Sequence, residues 1–135
     1  SDSVGCYQLN RQLGYETDDE AFSKRFLFLI NHPEHSIIVV KNSNDEVVAW
    51  MHMGLRFLLE DDNFAQLAGV VVREQDRSSG VGAHLLKVAD DWSRHHGMKE
   101  ICLSSSVTRE RAHSFYLKNG YTQSKTSKLF SKELE

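Results

Sequence analysis

The segment Arg77-Ser78-Ser79-Gly80-Val81-Gly82 holds the residue types and spacing most suited to chemistry. It follows Val70-Val71-Val72, which reads as a strand end, and it opens a long run with helical periodicity from Gly80 to His96. A strand, a turn of small residues and a helix start make an anion site. The first amides of a helix have no partner within it, and the helix dipole favours negative charge at that end. Gly80 and Gly82 let the backbone approach phosphate closely, and Arg77 adds a cation that pairs with phosphate. Arg77, Ser78, Ser79, Gly80, Val81 and Gly82 are therefore candidate diphosphate-binding residues. No Gly-Lys-Ser/Thr ending is present, so this is not a Walker loop. The lack of G-x-G-x-x-G and the hairpin pattern upstream argue against a dinucleotide fold. Taken alone, R-x-x-G-x-G is equally satisfied by a glycine turn tightening a strand-to-helix connection.

The elements around this loop follow from periodicity. Leu9 and Leu13, then Phe22, Phe26, Leu29 and Ile30, recur at helical spacing with a break near Gly14. This predicts helices around 4–13 and 18–31, with Asp18 as N-cap of the second. Ser36 to Val40 is β-branched, Asn42-Ser43-Asn44-Asp45 reads as a turn, and Val47 to Phe57 resumes as a strand, which is a hairpin signal. The polar break Glu60-Asp61-Asp62-Asn63 leads into a strand from Phe64 to Val72. Val81, Leu85, Val88, Ala89 and Trp92 form one apolar stripe on the next helix, which Gly97 stops. Ile101 to Ser105 reads as a short buried strand, with Cys102 as a small core residue. A helix from Arg109 to Asn119 follows, closed by Gly120, and short strands around 121–125 and 128–133 finish the chain. The pattern predicts one α/β (α+β) domain over 1–135 with a mixed sheet.

Bulk properties narrow the partners. The 135 residues are enough to bury a core without disulfides or structural metal. Sixteen basic and 19 acidic residues leave a net charge of −3, which gives no electrostatic case for nucleic acid or an anionic membrane. No stretch approaches the roughly 20 apolar residues of a membrane helix. Cys6 and Cys102 are too few and too scattered for a disulfide framework or a zinc site. His95, His96 and His113 make no ligand set, so no metal is expected. With no basic and apolar leader after Ser1-Asp2-Ser3, the expectation is a reduced, cytoplasmic protein.

Arg77-Ser78-Ser79-Gly80-Val81-Gly82 resembles the Q/R-x-x-G-x-G/A signature of the GNAT superfamily of N-acetyltransferases. Ala112-His113-Ser114-Phe115-Tyr116-Leu117-Lys118-Asn119-Gly120-Tyr121 is similar to that family's A-x-x-F-Y-x-x-x-G-F/Y stretch. The resemblance runs from about Leu9 to Leu134, and within the superfamily the C-terminal half looks like the aminoalkylphosphonate N-acetyltransferases, with aminoglycoside acetyltransferases sharing much of the pattern. It implies a mostly antiparallel sheet flanked by about four helices, with a splay between the fourth and fifth strands where the pantetheine arm lies. On this resemblance residue 1 falls at the family's first helix, and the family's first strand is not expected within these 135 residues. Acetyl-CoA is the implied co-substrate, a small-molecule primary amine the implied acceptor, and a homodimer the implied assembly. An acyl-CoA-binding module without catalysis and a protein or peptide N-acetyltransferase are the alternatives.

The resemblance also implies roles. The main chain of Val70, Val71 and Val72 would pair with pantetheine, and the amide of Val70 or Val71 would face the acetyl oxygen as oxyanion donor. Tyr116 stands where many members place the acid that protonates the leaving thiolate. Gln66 stands where many members carry a glutamate base, and a carboxamide has no such basic site. Glu60, Asp61, Asp62 and His52 remain as candidates, acting through water, although the acidic run also reads as a solvated turn. Arg109 replaces an asparagine common in the family and is a candidate for cofactor phosphate or an anionic substrate.

Overall fold

A computed structural model describes residues 2–12, 18–105 and 107–134. The chain gathers into two compact units, Ser1–Ser104 and Ser105–Glu135. In the first, α1 (Asp2–Gln12) and α2 (Asp19–Ile30) precede β1 (His35–Lys41), β2 (Val47–Arg56) and β3 (Phe64–Val72). A 3-10 turn (Glu74–Asp76), α3 (Val81–His95) and β4 (Ile101–Cys102) complete it. The helical break expected near Gly14, and Leu13 itself, lie outside the described residues.

Local chemistry sets the boundaries. Asp18 caps α2, its carboxylate accepting from the Ala21 N–H at 3.0 Å. The β1–β2 turn is closed by Asn42, whose side-chain oxygen accepts the N–H groups of Asn44 and Glu46, both at 3.0 Å. The strands lie in the order β1-β2-β3-β4, antiparallel in the first two pairs and parallel in the last. Trp50, His52 and Gly54 alternate along β2 with Ala49, Met51 and Met53 and so point to the opposite face. Ala49, Met51 and Met53 are fully buried, together with Ala65, Leu85 and Ala89. On the other face α1 covers Trp50, whose indole N–H donates to the side-chain oxygen of buried Asn10 at 3.2 Å.

Two irregularities matter for function. His52 pairs with Gly69 while Met53 pairs with Leu67, which leaves Ala68 as an extra residue on β3. And β4 pairs with β3 only at Ala65 and Gln66. From Leu67 to Val70 the β4-side edge of β3 is unpaired among the described residues, and beyond it the Val72 carbonyl accepts from the Arg77 side chain. This is the expected splay; β4 ends at Cys102 instead of Ser105 because its chain leaves β3 after two residues. Cys102 is half-exposed, so the buried thiol of the protein is Cys6 instead.

The second unit holds α4 (Glu110–Lys118), which ends at Gly120 with φ 94° as the Tyr121 N–H returns to the Tyr116 carbonyl at 3.0 Å. The two strands expected around 121–125 and 128–133 are not formed. A strand requires a neighbouring backbone to complete its ladder, and none pairs with this segment among the described residues. Its apolar side chains Leu129, Phe130 and Leu134 are correspondingly exposed.

Asn10→Ala removes the acceptor of the Trp50 indole. Leaving that donor unpaired is expected to cost about 1–3 kcal/mol, read as a lower urea midpoint at unchanged slope.

Candidate active site

The backbone of β3 is phased by its bulge. The Arg73 N–H donates to the Val48 carbonyl at 2.8 Å, on the β2 side. Amides alternate along a strand, so that of Val71 also faces β2, while those of Val70 and Val72 face the open edge. At the other end the Ala65 N–H donates to the Glu100 carbonyl at 3.0 Å, toward β4. Uninterrupted alternation from Ala65 would turn Val71 outward and Val70 inward. The extra residue, Ala68, inverts that order. Of the two candidate oxyanion donors, Val70 therefore has its N–H in the gap.

The 3-10 turn Glu74–Asp76 joins the strand to the glycine loop. Arg73 is held by Asp76 at 2.6 Å, and the Asp76 carbonyl accepts both the N–H of Ser79, at 3.4 Å, and the Ser79 hydroxyl. Arg77, exposed at the surface, donates its Nε–H back to the Val72 carbonyl at 3.2 Å. Ser78 and Gly80 adopt left-handed backbone, with φ 70° and 93°. The first helical hydrogen bond of α3 runs from the His84 N–H to the Gly80 carbonyl at 3.0 Å. The amides of Gly80, Val81, Gly82 and Ala83 precede it and have no acceptor among the described residues, and no side chain caps the helix. A Cβ on Gly80 would meet nothing within 4 Å, so glycine is required there for its conformation and not for space. Four free amides, an exposed backbone and one cation fit a diphosphate.

A second cluster lies on the Trp50 face of the sheet. His35, Gly54 and Gln66 stand in one cross-strand row. His35 Nδ1 and His52 Nε2 share a hydrogen bond of 2.9 Å. The His32 ring meets His35 edge-on, with centroids 4.8 Å apart, and its Nδ1 accepts the Glu34 N–H at 3.1 Å. Gly54 is buried, and a Cβ there would lie 2.9 Å from His35 Nδ1, so the pair is seated over a residue without a side chain. Burial lowers the pKa of His52, and charge on His35 lowers it further. Burial and then His32 lower that of His35, opposed by Glu34. Gln66 presents its side-chain oxygen to Arg56 Nη1 at 3.2 Å. Glu60, Asp61 and Asp62 lie in an exposed turn, where the Asp61 carboxylate accepts the Asp62 N–H at 2.8 Å. Among the described residues, no group of three or more His, Cys, Asp or Glu is placed to hold a metal ion. Sequence reasoning named His52 but missed His35, because their meeting depends on strand register.

In the second unit, exposed Arg109 stands at the N-terminus of α4. Tyr116 is half-buried on that helix, its ring 5.4 Å from Phe115 and 5.8 Å from Tyr121 between centroids. Burial pushes the Cys6 thiol up to about 12, which removes it as a nucleophile.

A bulged strand with amides in an open edge, followed after one 3-10 turn by a helix start with free amides, suits an extended ligand with an anionic end. The acetyltransferase (GNAT) family model matches residues 4–121, and the chain belongs to that family. It is an acetyltransferase with acetyl-CoA as co-substrate. An aminoalkylphosphonate N-acetyltransferase of Salmonella typhimurium is 29% identical over 120 residues, covering 88% of this chain and 75% of its own. An aminoglycoside N(6')-acetyltransferase type 1 of Klebsiella aerogenes is 26% identical, covering 73% and 67%. Among solved structures, an aminoglycoside 6'-N-acetyltransferase from Acinetobacter baumannii superposes with TM-score 0.84 at 16% identity, covering 100% of this chain and 95% of that one. Another aminoglycoside N-acetyltransferase, solved with CoA, superposes with TM-score 0.87 at 14% identity, covering 98% and 89%.

The lowered imidazole pKa values make stability depend on pH. A free histidine titrates near 6.5, and the folded pair titrates lower. In the window below about 6.5 the unfolded chain binds more protons, so stability rises with pH there and is fully present above it. The urea midpoint is expected to fall between about pH 7 and about pH 5, with a smaller fall in His52→Gln.

Proposed function

We propose that this chain transfers acetyl from acetyl-CoA directly to a primary amine of a small molecule. The observation that carries the reading is the open β3 edge, with the Val70 amide in it, together with the four free amides that begin α3. In this reading the main chain of Val70, Val71 and Val72 lines the pantetheine arm, and the Val70 amide donates to the oxyanion that forms as the amine attacks. Amides of Gly80, Val81 and Gly82, with the Arg77 guanidinium, hold the diphosphate, while those of Arg77 and Ser79 are taken by the Glu74 and Asp76 carbonyls. Arg109 contacts cofactor phosphate, and Tyr116 protonates the departing thiolate. The matched aminoalkylphosphonate and aminoglycoside N-acetyltransferases support a small amine as acceptor. A buried, protonated Cys6 supports direct transfer without an acyl-enzyme. The family resemblance supports a homodimer, and thiols without a disulfide support a cytoplasmic setting.

Gln66 favours a second reading, an acyl-CoA-binding module without turnover, since no carboxylate stands at that position. Following thiol release from acetyl-CoA over a panel of primary amines separates the two. Sustained release on any member supports the enzyme; tight acetyl-CoA binding with no release on all of them supports the module.

Gly80→Ala places a side chain on left-handed backbone at a cost of about 1–2 kcal/mol. Relaxation of that strain turns the neighbouring amides, so acetyl-CoA affinity is expected to fall about tenfold in a calorimetric titration. Unchanged affinity would remove the loop from the site. Tyr116→Phe is expected to lower kcat by about 100-fold or more with acetyl-CoA affinity retained; wild-type kcat would end its role as acid.

A further inference from the structure

The row His35–Gly54–Gln66 brings together three residues that no motif links. A glutamine stands on β3 where a proton acceptor is wanted, and a hydrogen-bonded pair of imidazoles stands across the sheet from it. Between them Gly54 leaves the sheet bare, and a side chain there would displace His35. His52 pairs directly with Gly69, the residue next to Val70, whose amide faces the open edge. We propose that the His35–His52 pair is the proton acceptor of the acetyl transfer, His52 taking the proton that the acceptor amine sheds and His35 passing a proton on toward solvent. The proposal rests on the acetyltransferase reading above and names the group that reading lacks.

The wiring of two imidazoles decides what the pair can do. Two neutral rings joined by one N–H···N bond present one outer lone pair and one outer N–H. A proton entering at the outer lone pair of one ring shifts the shared proton and releases another from the far ring. With His52 donating its Nε2–H to His35 Nδ1, the open lone pair is His52 Nδ1 and the releasing end is His35 Nε2. The titratable groups acting on the pair are His32 and Glu34, from the segment ahead of β1, while Arg56 holds Gln66. Burial keeps both rings neutral near pH 7, the form that can accept.

The step balances. The amine lone pair forms the N–C bond to the acetyl carbon, and the carbonyl π pair moves to oxygen. The attacking nitrogen becomes cationic and acidic, and its proton goes to His52 Nδ1. The oxygen pair returns, the C–S bond breaks, and the thiolate takes the Tyr116 proton. Solvent takes the proton released at His35 and restores that of Tyr116.

The test is the pH profile of kcat/KM with acetyl-CoA and whichever primary amine of the panel turns over, in wild type, His52→Gln and His35→Asn. Wild type is expected to lose activity with unit slope below about pH 6.5, as the pair protonates. His52→Gln is expected to lose about 100-fold or more and to lose that limb, with acetyl-CoA affinity retained. His35→Asn, which keeps a hydrogen-bonding group beside His52 but no relay, is expected to lose about tenfold with a displaced limb. His52→Gln with wild-type kcat/KM and an unchanged limb overturns the pair while leaving the acetyltransferase reading intact. A wild-type protein that releases no thiol on any amine overturns both. Should His52→Gln fail to fold, imidazole proton resonances of the wild type decide. Coupled titration below about pH 6.5 that responds to acetyl-CoA supports the pair, and independent titration near 6.5 without response overturns it.

Discussion

The extra residue at Ala68 governs which backbone groups reach the gap beside β3. Hydrogen bonds at the two ends of the strand, from Ala65 toward β4 and from Arg73 toward β2, would be out of phase without it. The bulge reconciles them, and in doing so turns the amides of Val70 and Val72 toward the edge that β4 leaves uncovered. A sheet edge with unsatisfied backbone ordinarily invites aggregation. Here only a short stretch is left open. Strand edge and helix start, joined through residues 73–80, are two sets of backbone donors that suit an extended, anionic co-substrate.

Positions without side chains shape both faces of this arrangement, for different reasons. Gly80 supplies a left-handed conformation, at a place where a side chain would meet no neighbour. Gly54 supplies room, in the middle of a buried strand, so that His35 can lie over the sheet and reach His52. Replacing either would leave the local strand or helix pattern intact while altering what the adjoining polar groups can touch.

The chemistry of the face carrying Gln66 departs from the simplest expectation for the family. A carboxamide held by Arg56 cannot take a proton, and the acidic turn at Glu60-Asp61-Asp62 is exposed to solvent. The hydrogen-bonded His35–His52 pair lies on that face, and a neutral imidazole pair has a ring nitrogen that accepts a proton. Its neutrality comes from burial first and from the proximity of a second ring next.

Much was legible in the residues themselves. Helical spacing located α1 to α3, Gly120 closed α4, and β-branched runs bounded by turn residues located β1 to β3, because such signals are written in consecutive side chains. Asp18 announced a helix start and Arg77 to Gly82 a phosphate-sized loop, because caps and turns are local. Strand pairing is not local. The run from 121 to 134 has the composition of strands yet forms none, since a ladder depends on a second backbone that sequence pattern does not report. The choice of Val70 over Val71 depended on a one-residue bulge against β2, and the meeting of His35 with His52 on the register of β1 against β2. Sequence by itself determined which residues can do chemistry and in which elements they sit. Tertiary structure decided which of them face one another, because register and bulges are set by cross-strand packing between segments distant in the chain.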